Sequence, residues 1–130
     1  MTQSKHSLVF YILDGAVAII FVVTGLRKLL SFGTVVSDFE SWGFHPAFMY
    51  MIGIVELAGA VALLTPRARI PGIVGLGVVM LGAIGTHIYA GEYYQLLLPL
   101  ALLVMLIVLF LMSQKEIEEA NMREHDQANY

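Results

Sequence analysis

Cysteine is absent from the 130 residues. Disulfides, thiol catalysis and cysteine-ligated zinc or iron–sulfur sites are therefore excluded for this chain by itself. Charge is scarce: 13% of residues are Asp, Glu, Lys or Arg, against roughly a quarter in an ordinary soluble domain. Hydrophobic residues make up 58%, and mean hydropathy is +0.80. A soluble fold this small cannot hide that much apolar surface, which argues against a soluble enzyme and a disordered segment alike. No basic patch is available to follow a phosphate backbone, so nucleic acid is not an expected partner. A nucleophile elbow, a metal-ligand motif, an internal repeat and a low-complexity tract are all missing, and no metal is expected. The length allows one domain.

What the chain does have is four apolar runs. Leu8–Leu26 has 19 residues and one charge, Asp14; Ala47–Leu64 has 18 and one charge, Glu56. Ile70–Ala90 has 21 with His87 and no formal charge, and Leu96–Met112 has 17 with none. Each is close to the roughly 20 residues that cross a ~30 Å hydrocarbon core. Backbone in lipid must satisfy its own hydrogen bonds, so the runs are expected as helices. The fold class is all-α: an integral membrane four-helix transmembrane bundle over residues 1–112. Its spans lie at about 8–30, 47–64, 70–90 and 95–112, with an outer loop at 32–46 and a charged tail at 113–130. Lys5 ahead of the first run resembles a signal peptide's basic start. Asp14 interrupts the run, however, and its length exceeds a usual signal core, so a retained span is expected.

The net charge of −3 lies in the tail, where Lys115 and Arg123 face Glu116, Glu118, Glu119, Glu124 and Asp126; the remainder is balanced. Glu119 and Arg123 are spaced to pair on a helix that prolongs the last span; a solvated, frayed tail is the alternative. An even number of spans puts both termini on one side. That side carries Lys5, Arg67, Arg69, Lys115 and Arg123 against Arg27 and Lys28 on the other, so both termini are expected in the cytoplasm and the protein in the cell (inner) membrane. Trp42, Phe44, Phe48, Tyr50, Tyr89, Tyr93 and Tyr94 fall at the outer interface, as aromatic belts do.

Thr65–Arg69 reads as a tight turn with Pro66, and Pro71 sits where a first helical turn tolerates it. Phe32–Pro46 is the long connection, with Asp38, Glu40 and Trp42 on a short interfacial helix ended by Gly43 and Pro46. Nine of the twelve glycines lie in the spans. Gly72, Gly75, Gly82 and Thr86 share a helix face, expected to pack inside one bundle; a homodimer face, giving a homo-oligomer, is the alternative.

Ionisable residues inside a bilayer are functional candidates by default. Glu56 lies near the midplane, roughly 13 Å from the outer boundary, too deep to snorkel easily. It is the candidate proton relay; a buried carboxyl satisfied by a lysine or hydroxyl, or held neutral, is the structural alternative. Lys28 is its candidate partner, on a face continued by Gly25, Phe21 and Ala18. Arg27, about 100° round the helix, is expected to snorkel outward. His87 lies near the outer end of its span, so the levels of Lys28, Glu56 and His87 all fall in the outer half of the membrane. Faces turned inward would place Lys28, Glu56 and His87 in a polar pocket under Tyr89, Tyr93 and Trp42, and the ligand-binding candidates are Lys28, Glu56, His87, Tyr89 and Trp42. A lone histidine is otherwise a hydrogen-bonded packing residue. Asp14 is expected to pair with Arg67 or Arg69, or to be protonated, in a structural role. His6, His45 and His125 are expected to be solvated.

The motifs Thr24-Gly25-Leu26-Arg27-Lys28-Leu29, Trp42-Gly43-Phe44-His45-Pro46 and Ile52-Gly53-Ile54-Val55-Glu56-Leu57 follow one another. Leu63-Leu64-Thr65-Pro66-Arg67, Gly82-Ala83, His87 and Gly91-Glu92 complete the order. This ordered set resembles the DoxX and DoxX-like family of small four-span membrane proteins, from about Val9 to Leu111. The residues that match its motifs are Gly25, Lys28, Gly53, Glu56, Pro66 and His87; Asp14 is outside the pattern. The resemblance implies one of several roles. Some members are similar to a thiosulfate:quinone oxidoreductase subunit or to accessory proteins of oxidative-stress complexes. Eukaryotic relatives are similar to cargo receptors and receptor-assembly chaperones. A shared fold does not fix chemistry.

Three functions stay open. In a redox-associated accessory subunit, the pocket would hold a quinone, or a lipid. Lys28 and His87 would hydrogen-bond its carbonyl oxygens and Glu56 would relay a proton. The chain has no flavin, haem or thiol motif, so a membrane or peripheral protein partner would supply electrons. In a non-enzymatic assembly factor or scaffold, the same cluster would fix packing while small-residue faces and the tail bind partners. A proton-coupled small-molecule or lipid transporter would need oligomers, since four spans are few for alternating access.

Overall fold

The computed structural model describes residues 2–130, with side chains from Leu8 onward. The expectations for Lys5 and His6 fall on side chains outside the described residues. The described chain is all-α. In order come α1 (Thr2–Leu29), α2 (Val35–Ser41), α3 (Pro46–Leu63), α4 (Arg69–Ala90) and α5 (Leu97–Ala128), which a 3₁₀ turn at Tyr93–Leu96 leads into. Four of these helices are long and apolar enough to cross a membrane. α2 is the short helix in the long connection.

Each long helix packs on its neighbour in the ring α1–α3–α4–α5, and α5 closes on α1. Inside the ring lie Phe10, Val17 and Phe21 from α1, Leu63 from α3, Leu76 from α4, and Leu106 and Leu109 from α5. Ile19, Val61, Val74, Val104 and Leu111 point outward. Such a surface is unfavourable in water and suits lipid, where no hydrophobic force draws helices together and close packing must do so.

Gly25 and Gly53 provide that packing between α1 and α3. A Cβ on Gly25 would lie 2.9 Å from the Gly53 carbonyl oxygen, and one on Gly53 3.0 Å from the Gly25 oxygen. The two backbones touch, with no room for any side chain. Gly72 likewise sits against Ala62, where a Cβ would approach to 2.7 Å. The expectation that Gly75 and Gly82 pack with it inside the bundle is not met. Nothing lies within 4 Å of a Cβ at either, whereas Leu76, next to Gly75 in the chain, packs on Gly59 of α3; the glycines at 75 and 82 are turned away from the neighbouring helices.

Three helices end in the same way. Beyond α1, Phe32 N–H bonds to Arg27 O; beyond α2, Phe44 N–H bonds to Phe39 O; beyond α4, Glu92 N–H bonds to His87 O, each at 2.9 Å. The residue before each donor is left-handed: Ser31 (φ 54°), Gly43 (φ 85°) and Gly91 (φ 72°). This closure reverses the chain while satisfying carbonyls that the helix leaves orphaned. It turns α2 back over the bundle and returns Glu92 toward α4.

The tail continues α5 without a break to Ala128. At ~1.5 Å per residue the 32-residue helix is about 48 Å long, well beyond one hydrocarbon core. No Glu119–Arg123 ion pair forms among the described residues; the helix is propagated from its membrane portion, where elongation needs no new nucleus.

Candidate functional site

α2 roofs a cavity of about 630 Å³ enclosed by the adjoining halves of α1, α3, α4 and α5. The roof is held by aromatic contacts. Phe39 of α2 is buried, with ring centroids 5.2 Å from Trp42, 6.1 Å from Phe44 and 6.4 Å from Phe48. Phe44 and Phe48 stack at 4.8 Å. Apolar walls come from Ile52, Val79, Leu98 and Leu102.

Lys28 and Glu56 meet in this cavity. Lys28 Nζ donates to Glu56 Oε2 at 2.9 Å and Oε1 at 3.2 Å, and to Thr24 O at 3.5 Å. Glu56 is 2% exposed. The Gly25–Gly53 contact explains the meeting: the lysine and the glutamate each follow their glycine by three residues, so the backbone approach brings both side chains to one level. A charge-assisted pair of this kind is short and strongly directional.

Across the cavity, Trp42 sets its ring edge-on to His87, with centroids 5.2 Å apart and planes at 88°. His87 Nδ1 lies 2.9 Å from Glu92 Oε2, an interaction supplied by the reversal at Gly91. Trp42 Nε1 is buried and has no hydrogen-bond partner among the described residues. A buried N–H without an acceptor costs about 1–3 kcal/mol and is a natural place for a ligand oxygen.

Four of the expected residues thus converge: Lys28, Trp42, Glu56 and His87 all line the cavity. Tyr89 does not. It is 87% exposed and outside the lining, because two residues along a helix is about 200° of rotation from His87. Tyr93 and Tyr94 are exposed as well. Arg27 is exposed, in keeping with an outward-turned side chain, and it also borders the cavity. Phe39, Asp38 and Gln95 also line the cavity and Glu92 reaches His87, and none of the four was expected at the site. For Glu92 the signal was present, as an acid just past a helix-ending glycine. His45 is exposed, yet its Nδ1 accepts from Ala47 N–H at 3.1 Å and caps α3.

Among the described residues, no three His, Asp or Glu side chains gather closely enough to hold a metal ion. The cavity instead presents hydrogen-bond donors within apolar walls, a setting for an organic molecule with an oxygen-bearing head.

The profile of the DoxX-like family matches residues 12–109, which take in α3 and α4 whole, most of α1, the first part of α5 and every cavity-lining residue. The chain belongs to the DoxX-like family. No curated protein and no solved structure matches it. The outermost part of α5, with the charged tail, lies beyond the matched region.

The DoxX-like bundle holds a second buried polar group at its opposite end. Asp14 is 2% exposed, with its Oδ2 3.6 Å from the Arg69 guanidinium. Arg69 Nε donates to Leu63 O at 3.0 Å, and its guanidinium lies 4.7 Å from the Phe10 ring centroid. Asp14 Oδ1 and Ser113 Oγ are buried without partners. Of the two arginines considered for Asp14, Arg69 is the one in place.

Proposed function

We propose that this DoxX-like protein is a redox-associated accessory membrane subunit that binds a quinone-type amphiphile in the cavity beneath α2. Its termini lie on the cytoplasmic side of the inner membrane. The observation that carries the reading is the buried, unpartnered Nε1 of Trp42, a residue that lines the cavity beside the Lys28–Glu56 ion pair and His87. Lys28 and Trp42 supply donors to head-group oxygens. Glu56, held by Lys28, is the proton relay. A volume of about 630 Å³ is within the range of small-molecule sites. A bound quinone would contribute two-electron chemistry. The electrons come from a partner protein, while this chain binds, orients and excludes water.

Mass spectrometry of lipids co-purifying with wild type, Glu56→Gln and His87→Ala tests this. A quinone enriched with wild type and depleted in both variants is expected. Equal amounts in all three, or none, would sink the reading and leave the cluster as packing.

A second reading rests on a different observation, the stretch of α5 that runs on past the bundle. It is acidic and exposed, and packs on no other helix among the described residues, as an assembly factor's docking segment would. Crosslinking in native membranes should then return a reproducible partner through tail positions; no adduct would count against it.

A further inference from the structure

His87 is held in a way that fixes which of its ring nitrogens can serve a ligand. Nδ1 faces the Glu92 carboxylate at 2.9 Å. A carboxylate only accepts, so the proton of a neutral imidazole sits on Nδ1. Nε2 then carries a lone pair. Among the described residues nothing hydrogen-bonds to Nε2, and His87 lines the cavity. Beside it stands the indole of Trp42, 5.2 Å away centroid to centroid, with an N–H that has no acceptor.

An acceptor and a donor without partners thus belong to two rings in contact with each other, on residues that both line the cavity. A carbonyl oxygen accepts but cannot donate; it would satisfy Trp42 Nε1 and leave Nε2 facing a second lone pair. A hydroxyl does both. Its oxygen accepts from Trp42 Nε1–H while its hydrogen is donated to His87 Nε2. We propose that Trp42, His87 and Glu92 form a hydroxyl-recognising subsite, selective for the reduced, phenol-like form of the head group over its carbonyl form. This rests on the quinone reading and deepens it: the form preferentially held is the quinol. Glu92 is a positioning residue. It touches no ligand and acts through the tautomer it imposes on His87. A site built around a hydroxyl discriminates strongly, because the wrong form leaves buried polar groups unpaired.

The experiment uses the full chain in lipid nanodiscs under anaerobic conditions. A short-chain benzoquinone with an isoprenoid tail, and the same molecule fully reduced, are titrated separately. Wild type is expected to bind the quinol at least about tenfold more tightly than the quinone. Glu92→Ala should shrink that ratio to below about threefold, and Glu92→Gln, whose amide oxygen still accepts from Nδ1–H, should restore it. Trp42→Phe should weaken both forms alike, since the indole N–H can donate to either oxygen.

Nitrogen-15 NMR of histidine-labelled protein, with His87 assigned by His87→Gln, reads the tautomer directly. Wild type should carry the proton on Nδ1, and Glu92→Ala should move it toward Nε2, a shift that mere loss of packing would not produce. Equal affinity for the two forms, tighter quinone binding, or an Nε2-protonated or doubly protonated ring in wild type overturns the subsite but leaves the quinone reading standing. Binding of neither form overturns both.

Discussion

Lys28 and Glu56 depend on each other. Each neutralises the other in a place where a single charge is expensive, and removing one partner leaves the second stranded. Lys28→Met should therefore destabilise the bundle by about 3–5 kcal/mol. The double variant Lys28→Met/Glu56→Gln should recover most of that loss, which reversible unfolding in mixed micelles or bicelles would measure as a non-additive cycle. Tyr89→Ala makes the opposite case. Its side chain is outside the cavity, so the quinone recovered with the protein should stay within about 20% of wild type in the lipid analysis, whereas a larger fall would show that the tyrosine reaches the ligand.

The contrast between these residues also shows what a sequence makes legible. Depth in the membrane is read from position along an apolar run, and that placed Lys28, Glu56 and His87 in the outer half, with Tyr89 above them at the interface. Azimuth is not given by depth. Lys28 and Glu56 could be turned toward each other because Gly25 and Gly53 mark the faces where helices touch. Tyr89 had no such marker. Glu92 was hidden for another reason: its contact with His87 depends on a left-handed turn at Gly91, which a glycine permits but does not require.

At the scale of elements, the bundle rests on one backbone crossing. Gly25→Ala puts a methyl 2.9 Å from the Gly53 carbonyl oxygen, a contact that backbone must move to relieve. It should lower stability by about 1–3 kcal/mol and separate α1 from α3, and with them Lys28 from Glu56. Gly75→Ala meets open space. In the same unfolding assay it should be neutral, or stabilising by up to about 1 kcal/mol, through the lower backbone entropy of alanine in the unfolded chain. Four spans were evident from hydropathy alone, since bilayer thickness sets their length. That α2 folds back as a roof was not evident. Its seven residues carry a helix but no record of where Phe39 docks.

For the whole molecule, the lysine and arginine asymmetry makes a prediction that the missing cysteines render simple to check. Single cysteines can be introduced at Ser37, in α2, and at Gln127, in the tail, with no background. A membrane-impermeant maleimide added outside intact cells should label the first and not the second. The reverse pattern would mean that the cavity's roof faces the cytoplasm.

The apolar centre of the ring has a further consequence. Val17, Phe21, Leu76 and Leu106 are fully or almost fully buried between the Lys28–Glu56 pair and the Asp14–Arg69 pair. Along α1 alone, the fourteen positions from Asp14 to Lys28 amount to about 21 Å. No chain of hydroxyls or acids bridges that interval among the described residues. The two polar pairs are therefore separated by a plug of close-packed apolar side chains, so that a proton gained or lost at one has no path to the other, and the bundle can sit in a bilayer without making it leak.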